Sequence, residues 1–430
     1  MKKLIASATL LGLGVAGIQA AHAPGLSSIE KSKSWSVGAS LRGFFDDNYT
    51  TSPSAANPPS TWGTEIEPSF GLNLPMDQTY IGLSYTYGAK FYENSSKWDQ
   101  SHQARFNLSH AFTQRMKLDV SETFISAQEP SILEDRGPIT VPLRSEGNNI
   151  RNTATAALTT ELSEEFSTVI SYANSIWDYE QDAGDVANPL FNATGAGSRS
   201  SLLDRMEHML MANIRWQVAP STITLVGYQY GVVDYNSKDP LVPGLTADIR
   251  DNRSHYAYAG VDHFFNQQLN ASLRAGAQMT SYPNVTVDDS VLPYADASLS
   301  YTYTTGSYVQ LGVRHALNQT DVGLVFLGAG NIDPTLNQES TTVYGSINHK
   351  FTAKITGMLL GQYQNSQFNG GGPTVDGNAD DLFLFGLTFR YQINQFLSAD
   401  VGYSFDRLDS DLMGRSFSRN RVFAGLKATF

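Results

Sequence analysis

Apolar and polar residues alternate with a period of two along most of the chain, in segments of about ten residues separated by turn-forming residues. The segment Leu397–Asp406 is a clear case: its odd positions are Leu, Ala, Val, Tyr and Phe, and its even positions are Ser, Asp, Gly, Ser and Asp. The segment Arg421–Phe430 repeats the pattern. Side chains of a β-strand point alternately to its two faces, so each segment predicts a strand with one apolar and one polar face.

Turn-rich segments divide these strands into a regular rhythm. Eight short turns, of which Asn266–Gln268 is typical, alternate with nine longer polar connections, of which Asn318–Gln338 is a long example. Strands joined in this way form an up-and-down antiparallel sheet, here of about eighteen strands. An even number returns the chain to the side on which it began, so we expect both termini on the periplasmic side. Alternation is weak before Thr61, at Ser167–Trp177 and at Thr222–Tyr235, so the strand number is predicted to within two.

A soluble β-sandwich also alternates, with its apolar face turned inward. Two features favour a transmembrane barrel instead. Short and long connections alternate along the chain, and the last residue is an aromatic one, Phe430, in register with an apolar face. We therefore predict an all-β fold, a single transmembrane antiparallel up-and-down β-barrel over residues 35–430.

The N-terminus has the parts of a Sec signal peptide. Lys2 and Lys3 are basic, Leu4–Ile18 is a short apolar run, and small residues follow it. Cleavage is expected after Ala20 or Ala23. The apolar run is shorter than the roughly 20 residues that a membrane-spanning helix needs, which argues against an anchor. The chain is thus predicted to be exported through the Sec pathway to the outer membrane of a diderm bacterium.

Three segments follow from this division: a signal peptide over 1–23, a short periplasmic segment over 24–34, and the barrel. The second segment leaves no room for the globular plug of energy-coupled transporters. Aromatic residues next to short turns are predicted to form an interfacial girdle on the periplasmic side. They are Phe112, Trp216, Phe265, Tyr303, Phe351, Tyr391 and Phe396.

Composition excludes several other classes of protein. The 430 residues include no cysteine, which rules out disulfide bonds and thiolate metal sites. The net charge of −12 disfavours nucleic acid as a partner, because phosphate binding needs a basic surface. Only 16% of the residues are charged, as expected where much of the surface faces lipid.

No residue pattern predicts catalysis. A hydrolase built on a barrel strand needs a Ser nucleophile and a His base two positions apart. None of the histidines in the predicted barrel has that spacing; they are His102, His110, His208, His255, His263, His315 and His349. Asp262 and its neighbour His263 point to opposite faces, and Asp376, Asp380 and Asp381 are better explained as a solvated acidic loop than as a cation site. We predict no enzyme, no cofactor and no metal.

The alternating strands, the signal peptide and the terminal Phe430 together resemble Gram-negative outer-membrane porins. More narrowly, the chain resembles the putative β-barrel porin 2 family, whose members are long barrels with a signal peptide, no plug and a terminal Phe. The resemblance covers the whole mature chain and rests on pattern, so no functional residue is carried over. It implies that the barrel-assembly machinery recognises the C-terminal strand, with Phe430 as the assembly signal.

Charged residues on the predicted polar faces form a candidate pore wall. The wall candidates are Arg105, Arg274, Arg314, Arg390, Arg421, Lys427, Asp262 and Asp400. Basic residues outnumber acidic ones among them, and a low-dielectric wall focuses their field onto permeating ions. We therefore expect a preference for anions, unless Arg and Asp pair across strands and cancel.

The third long connection, Gln128–Asn148, is the candidate pore constriction. In the porins that the chain resembles, the third external loop folds inward and narrows the pore. Apolar residues such as Ile132 and Leu143 favour burial against the inner wall, and three prolines stiffen the segment. Its charged residues would then face the channel: Glu129, Glu134, Asp135, Arg136, Arg144 and Glu146. The alternative is a loop that lies over the rim or against a neighbouring protomer.

The predicted function is passive passage of small hydrophilic solutes, since a barrel of this size class encloses an aqueous channel. Two alternatives stay open at this point: a conduit for exopolysaccharide secretion, and a structural or adhesive surface barrel. The expected partners are outer-membrane lipid, the barrel-assembly machinery and the solutes or polysaccharide that pass. A homo-oligomer is compatible with the sequence.

Overall fold

A computed structural model shows how the chain folds. It describes residues 33–53, 57–94, 96–127, 148–181, 198–242, 244–328 and 331–430. The strands in this part of the chain are β1 (Trp35–Asp46), β2 (Thr61–Pro75), β3 (Thr79–Tyr92), β4 (Lys97–Thr113), β5 (Met116–Ala127), β6 (Asn149–Glu161), β7 (Phe166–Tyr179), β8 (Arg205–Ala219), β9 (Thr222–Tyr235), β10 (Pro240–Val242), β11 (Leu245–Thr246), β12 (Asn252–Phe264), β13 (Leu269–Ser281), β14 (Ser290–Thr304), β15 (Ser307–Asn318), β16 (Val325–Gly328), β17 (Asn331–Pro334), β18 (Asn337–Lys350), β19 (Ile355–Asn369), β20 (Ala379–Gln392), β21 (Leu397–Ser410) and β22 (Phe417–Thr429).

Eighteen of these strands form one antiparallel sheet that closes on itself. The other four form two small hairpins, β10–β11 and β16–β17, within long connections. Closure is made by β1 and β22, whose residues 38–46 and 421–429 pair in register. At this seam, the backbone N–H of Phe430 donates to the carbonyl oxygen of Val37 at 2.8 Å. The eighteen-stranded antiparallel barrel predicted from the alternation is confirmed.

The two ends of the barrel differ in their connections. At one end, termed the short-turn end, eight turns of two to four residues join the strands, and the first and last strands meet there. At the other end, termed the long-loop end, nine connections range from four residues to twenty-five. The alternating rhythm of short and long connections is therefore present as predicted.

The segments whose alternation is weak, β1, β7 and β9, are strands of ordinary length. On the inner face of β9, the apolar side chains of Leu225 and Val233 are buried. Leu225 packs with tyrosines of β12 and β14, and Val233 packs with Tyr235 and Ala247. Apolar contacts on the inner wall thus blur the period of two that the sequence would otherwise show.

The outer face of the barrel is apolar. Ile214 on β8 and Val226 on β9 are 61% and 66% exposed, and large apolar side chains are exposed on the same face of most barrel strands. Exposed apolar surface on this scale is unfavourable in water and matches the lipid-facing band of a membrane barrel. Among the described residues, no helix has the length and apolar character needed to cross a membrane.

The predicted aromatic girdle lies on this outer face, beside the short turns. Its members Phe112, Phe265 and Phe351 are about half exposed, at 48%, 58% and 55%. Next to the seam, the rings of Phe396 and Phe430 stack with their centroids 5.6 Å apart. The last residue of the chain is therefore part of the girdle as well as of the strand closure.

Histidines mark both edges of the apolar band. On the outer face, β4 carries His102 and His110, and β12 carries His255 and His263, eight residues apart in each case. Eight residues of strand span about 26 Å. A strand tilt of about 40° reduces this to roughly 20 Å across the membrane, close to the height of a barrel's apolar band. The two histidines of each strand are thus about as far apart as the two edges of a lipid-facing band.

Aromatic rings on the inner face lie flat against the wall, over glycines of neighbouring strands. Ring atoms of Tyr344 lie 2.2 Å from the place that a Cβ on Gly312 would occupy. Phe423 covers Gly402 in the same way, at 2.3 Å. A larger residue at either glycine would push the ring into the lumen, so these glycines help to keep the interior wide.

Candidate functional site

All eight candidate wall residues lie on the inner face of the barrel. Arg105 is on β4, Asp262 on β12, Arg274 on β13, Arg314 on β15, Arg390 on β20, Asp400 on β21, and Arg421 and Lys427 on β22. Each occupies the set of strand positions opposite to the exposed apolar side chains. The acidic residues among them are centres of two separate groups of charges.

The first group, termed the first-wall cluster, consists of Arg42, Glu65, Glu67, Lys90 and Asp400. The Arg42 guanidinium lies 2.9 Å from Asp400 and 3.3 Å from Glu67, while Lys90 lies 3.2 Å from Glu65. Gly425 of β22 stands between Arg42 and Asp400 in the register, and its missing side chain leaves room for the arginine to cross that strand. The cluster therefore links β1, β2, β3 and β21.

The second group, termed the second-wall cluster, consists of Arg215, Asp262, Arg274, Asp296 and Arg314. Asp262 accepts hydrogen bonds from Arg215 at 3.3 Å and from Arg274 at 2.8 Å, so two guanidinium groups share one carboxylate. Asp296 stands opposite Arg274 on one neighbouring strand and opposite Arg314 on the other. This cluster spans β8 and β12 to β15.

The two clusters lie on opposite walls, because β1 and β12 are nine strands apart in a ring of eighteen. The first-wall cluster has two basic and three acidic groups, and the second-wall cluster has three basic and two acidic groups. Their central acids are near the short-turn end, since Asp262 is two residues from the end of β12 and Asp400 three from the start of β21. The clusters taken alone carry opposite net charges, but Arg390, Arg421 and Lys427 also line the wall of the first cluster, so that wall as a whole is not net acidic.

Pairing across strands, the stated alternative to an anion-selective wall, is thus present around Asp262 and Asp400. It reduces the net charge of each wall without abolishing it. Arg421 lies over the ring of Phe44, with 4.8 Å from its central carbon to the ring centroid, and Arg390 stands opposite Asp400 in the register. The preference for anions stays a prediction.

The candidate constriction residues Glu129, Glu134, Asp135, Arg136, Arg144 and Glu146 lie outside the described residues, so their role stays a prediction. A different connection contacts connections of distant strands at the long-loop end. It lies between β15 and β18, is described over residues 319–328 and 331–336, includes the hairpin β16–β17 and is termed the strap. The strap starts from β15, which is termed its root. Its contacts reach connections on both sides of that strand.

One side of the strap is held by Arg250, which precedes β12. Its guanidinium donates to the carbonyl oxygen of Thr320 at 2.6 Å and to that of Leu202 at 2.9 Å. The side chain is fully buried and lies over the ring of Tyr235 at 4.6 Å. Burial lowers the pKa of Arg250 from its usual value. The hydroxyl of Tyr235 adds a further attachment, donating to Gln319 at 3.1 Å.

The other side of the strap is held by Arg415, in the connection between β21 and β22. Its guanidinium donates to Asp321 of the strap at 2.5 Å and to Asp380 at the start of β20 at 2.7 Å. All three side chains are at most 3% exposed. Burial lowers the pKa of Arg415, but the Asp321 and Asp380 carboxylates raise it more, so it lies above its usual range. Arg415 therefore keeps its charge under all ordinary conditions.

Apolar contacts also hold the strap, at residues that follow these two attachments. Val322 is buried with Phe368 and Val375, beside the connection that follows β19. Val325 packs against a separate apolar cluster at the ends of β7 and β8, built around Tyr179 and Leu202. Because β7 and β19 are eight strands apart in the ring, the strap joins connections from widely separated parts of the long-loop end.

Close backbone packing completes the fit of the strap. Gly370, at a φ of +80°, approaches the strap so closely that a Cβ there would lie 2.2 Å from the carbonyl oxygen of Pro334. The N–H of Gly372 donates to Asp333 at 3.1 Å. A residue with a side chain at Gly370 would clash with the strap and would also be strained in this conformation. The glycine run after β19 is thus explained by the strap above it.

The prediction of a solvated acidic loop is wrong for Asp380, which is 2% exposed and lies at the start of β20. Asp380 binds Arg415, and Asp376 accepts from the N–H of Gly370 at 2.9 Å. Asp381 accepts from the hydroxyl of Tyr363 at 2.7 Å. In the described part of the chain, no group of three or more acidic, histidine or cysteine side chains is placed to hold a metal.

Sequence reasoning missed Arg250, Asp321 and Arg415, although one signal pointed to the strap. The connection Asn318–Gln338 contains the run Val-Gly-Leu-Val-Phe-Leu, which is as apolar as the residues that favoured Gln128–Asn148 as the constriction. The same burial argument therefore applies to it. The arginines gave no such signal, because their partners lie 70 and 94 residues away in sequence.

Several inner-face polar atoms have no hydrogen-bond partner within the protein. They include Oε1 of Gln229, both side-chain polar atoms of Gln338 and the hydroxyls of Ser171 and Ser346. Polar side chains such as Gln278 and Thr342 also occupy this face. The inner wall is therefore chemically suited to a hydrated lumen.

A closed eighteen-stranded barrel with an apolar band outside and a polar interior defines a porin-like outer-membrane β-barrel. Residues 338–430, which comprise β19 to β22 and nearly all of β18, match the family described as Putative beta-barrel porin 2. The resemblance predicted from the sequence is thus confirmed over this part of the chain. Family and fold point to a channel rather than to an enzyme.

Other comparisons are more distant. The chain is similar to OccAB3 of Acinetobacter baumannii, with 11% identity and a TM-score of 0.42, covering 92% of this chain and 99% of that one. It is similar to OpdQ of Pseudomonas aeruginosa, with 10% identity and a TM-score of 0.44, covering 92% and 97%. Likenesses this distant carry no argument about solute or mechanism. No curated protein sequence matches the chain.

Proposed function

We propose that the protein is a passive outer-membrane channel for small hydrophilic solutes. The observation that carries the proposal is the polar inner wall of a closed eighteen-stranded barrel. A polar wall of this kind lines a path for water. Solutes of matching polarity can follow that path without an energy source.

The strap favours small solutes over a polymer. Its attachment to walls on both sides divides the mouth at the long-loop end. A polysaccharide chain would have to pass beside this fixed segment in an extended form throughout secretion. Small solutes meet no such requirement, so we prefer passive permeation to the exopolysaccharide conduit.

The two charged clusters suit solutes that carry polar or charged groups. The second-wall cluster has an excess of one basic group, and the first-wall cluster has an excess of one acidic group. A solute between them experiences a transverse field. We infer that the channel passes ions of both signs, with a modest preference for anions arising from the excess of basic groups on the inner wall.

Orientation and assembly follow from the same proposal. We propose that the short-turn end and both termini face the periplasm, as single-chain bacterial barrels require. Export through Sec, with cleavage of residues 1–23 after Ala20 or Ala23, precedes insertion by the barrel-assembly machinery, which would read the C-terminal strand. The chain would work as a single barrel or as a homo-oligomer of such barrels.

Electrical recording tests the proposed function. Purified protein is reconstituted into a planar lipid bilayer, and current is recorded at fixed voltage in concentrated potassium chloride. We expect discrete, long-lived conductance steps that are linear in voltage. Protein that is shown to insert as a folded barrel, yet gives no steps, would contradict the proposal.

A further inference from the structure

We propose that Arg415 sets the width of the mouth at the long-loop end, by holding the strap across the lumen. This rests on the proposed channel function, which it deepens. Arg415 is not part of the strap and belongs to the last connection of the barrel, between β21 and β22. Its role would be to position the segment that solutes must pass.

The strap is held from two directions at adjacent residues. Thr320 is bound by Arg250 beside β12, and Asp321 is bound by Arg415 beside β22. In the ring of strands, β12 lies three places to one side of the strap's root at β15, and β22 lies five places to the other side. Two attachments on opposite sides of the root hold the strap away from the wall from which it starts.

The two attachments differ in strength. Arg250 donates to carbonyl oxygens, which are neutral acceptors. Arg415 bridges two carboxylates in a site that is almost fully buried. In the Arg250 bonds only the donor is ionised, whereas at Arg415 donor and acceptors are all ionised, so Arg415 makes the stronger attachment.

Removal of the Arg415 charge would do more than delete one attachment. Asp321 and Asp380 would then face the same buried site with nothing to neutralise them, and like charges in low dielectric repel. Asp321 is on the strap, whereas Asp380 is fixed in β20. The repulsion would therefore push the strap away from the wall instead of leaving it in place.

Three variants test this positioning role. Arg415→Gln removes the charge, and Asp321→Asn weakens the same contact while leaving the Arg415–Asp380 pair. Arg407→Gln is the matched control, because Arg407 lies on β21 and forms an exposed pair with Asp409 at 2.8 Å, 52% and 46% exposed. Heat-modifiable gel migration checks that each variant still forms a folded barrel.

Two readouts are combined. The first is single-channel conductance. The second is the labelling rate of a single cysteine, Val322→Cys, by a small polar thiol reagent. The protein has no cysteine of its own, so the label reports this position alone, and Val322 is 2% exposed in the strap. The second readout does not depend on whether the barrel conducts.

We expect Arg415→Gln to raise conductance several-fold and to speed labelling at position 322 by tenfold or more, with a smaller rise for Asp321→Asn and none for Arg407→Gln. Unchanged labelling in a folded Arg415→Gln barrel would overturn the proposal. Faster labelling with unchanged conductance would also overturn it, because the strap would then be released without widening the path. If no barrel conducts, the channel function fails, while the labelling rates still decide whether Arg415 holds the strap.

Discussion

The two ends of the barrel have different kinds of connections. At the short-turn end, turns of two to four residues cannot reach across the lumen, and the shared acids of the wall clusters lie close to this end. At the long-loop end, the strap joins connections of distant strands and is held by buried arginines. If the proposed function is right, one end would select by charge along a wide wall, and the other would select by size.

The wall and the mouth of the barrel depend on different kinds of contacts. The wall is a repetitive structure in which every strand needs only its two neighbours, so its geometry follows from local alternation. The mouth depends on contacts between residues far apart in sequence. Changes at the mouth should therefore alter pore size strongly, and changes near the short turns should alter mainly selectivity or stability.

The largest effect is expected from removal of the strap. A variant in which residues 322–335 are replaced by a short Gly-Ser linker loses the segment that spans the mouth, so single-channel conductance should rise several-fold. The matched change at the other end is an insertion of two glycines into the turn 265–268, which should leave conductance unchanged. Equal conductance in wild type and in a folded strap-less barrel would mean that the two ends do not differ in width.

A smaller effect is expected from the wall charges. Asp262→Asn leaves Arg215 and Arg274 without their shared carboxylate, so reversal potentials in a salt gradient should shift toward anions. Asp400→Asn should shift them less, because Arg42 keeps Glu67 and Glu65 as partners. Conductance should change little in either variant. A larger shift in reversal potential for Asp400→Asn than for Asp262→Asn would mean that the first wall, and not the second, is the more basic one.

A pH effect is expected at the long-loop end, next to Arg250. Burial, with the nearby Asp234 and Asp248 carboxylates, raises the pKa of Asp251 to about 6 from 3.8. The raised value means that ionisation is harder in the folded protein, so local stability is highest below pH 3.8 and falls as pH rises to about 6. Above that it levels off. Hydrogen exchange of the Asp251 amide, corrected for the intrinsic rate, should show less protection at pH 7 than at pH 4, and Asp251→Asn should remove the difference.

The smallest effect is expected in the girdle at the short-turn end. Phe265 is 58% exposed and packs edge-on against His263 at 4.5 Å. Phe265→Ala should lower the free energy of unfolding by about 1 kcal/mol, the size of a typical aromatic pair, without altering conductance. Denaturant titration of the reconstituted barrel measures the first quantity. A change in conductance would show that this end also limits flow.

The sequence was sufficient for the wall and insufficient for the mouth. Alternation identified the strands and placed Arg274, Asp262 and Asp400 on the inner face, because a period of two leaves only two faces to choose between. It also located the girdle, since turns and aromatic residues are local features. Even the weakly alternating β9 was delimited correctly, although Leu225 and Val233 on its inner face obscured the period.

The strap could not be deduced in the same way. Nothing near Arg415 in the sequence indicates that its partner is Asp321, and the contact forms only when the last connection and the seventh long one meet over a closed barrel. Apolar residues in a loop show that the loop is buried somewhere, without showing where. The expectation that an apolar loop is buried favoured the third long connection, Gln128–Asn148, and it applies equally to the strap.

The most direct test of the account is a sizing of the two mouths with uncharged polymers. Polyethylene glycols of graded size are added to one side of a bilayer that holds oriented channels, and the largest polymer that still lowers conductance is recorded for each side. We predict that the largest polymer that enters is smaller from the side of the long loops than from the side of the short turns. In the strap-less variant the two sizes should be equal. The same size from both sides of the wild-type channel would contradict this prediction.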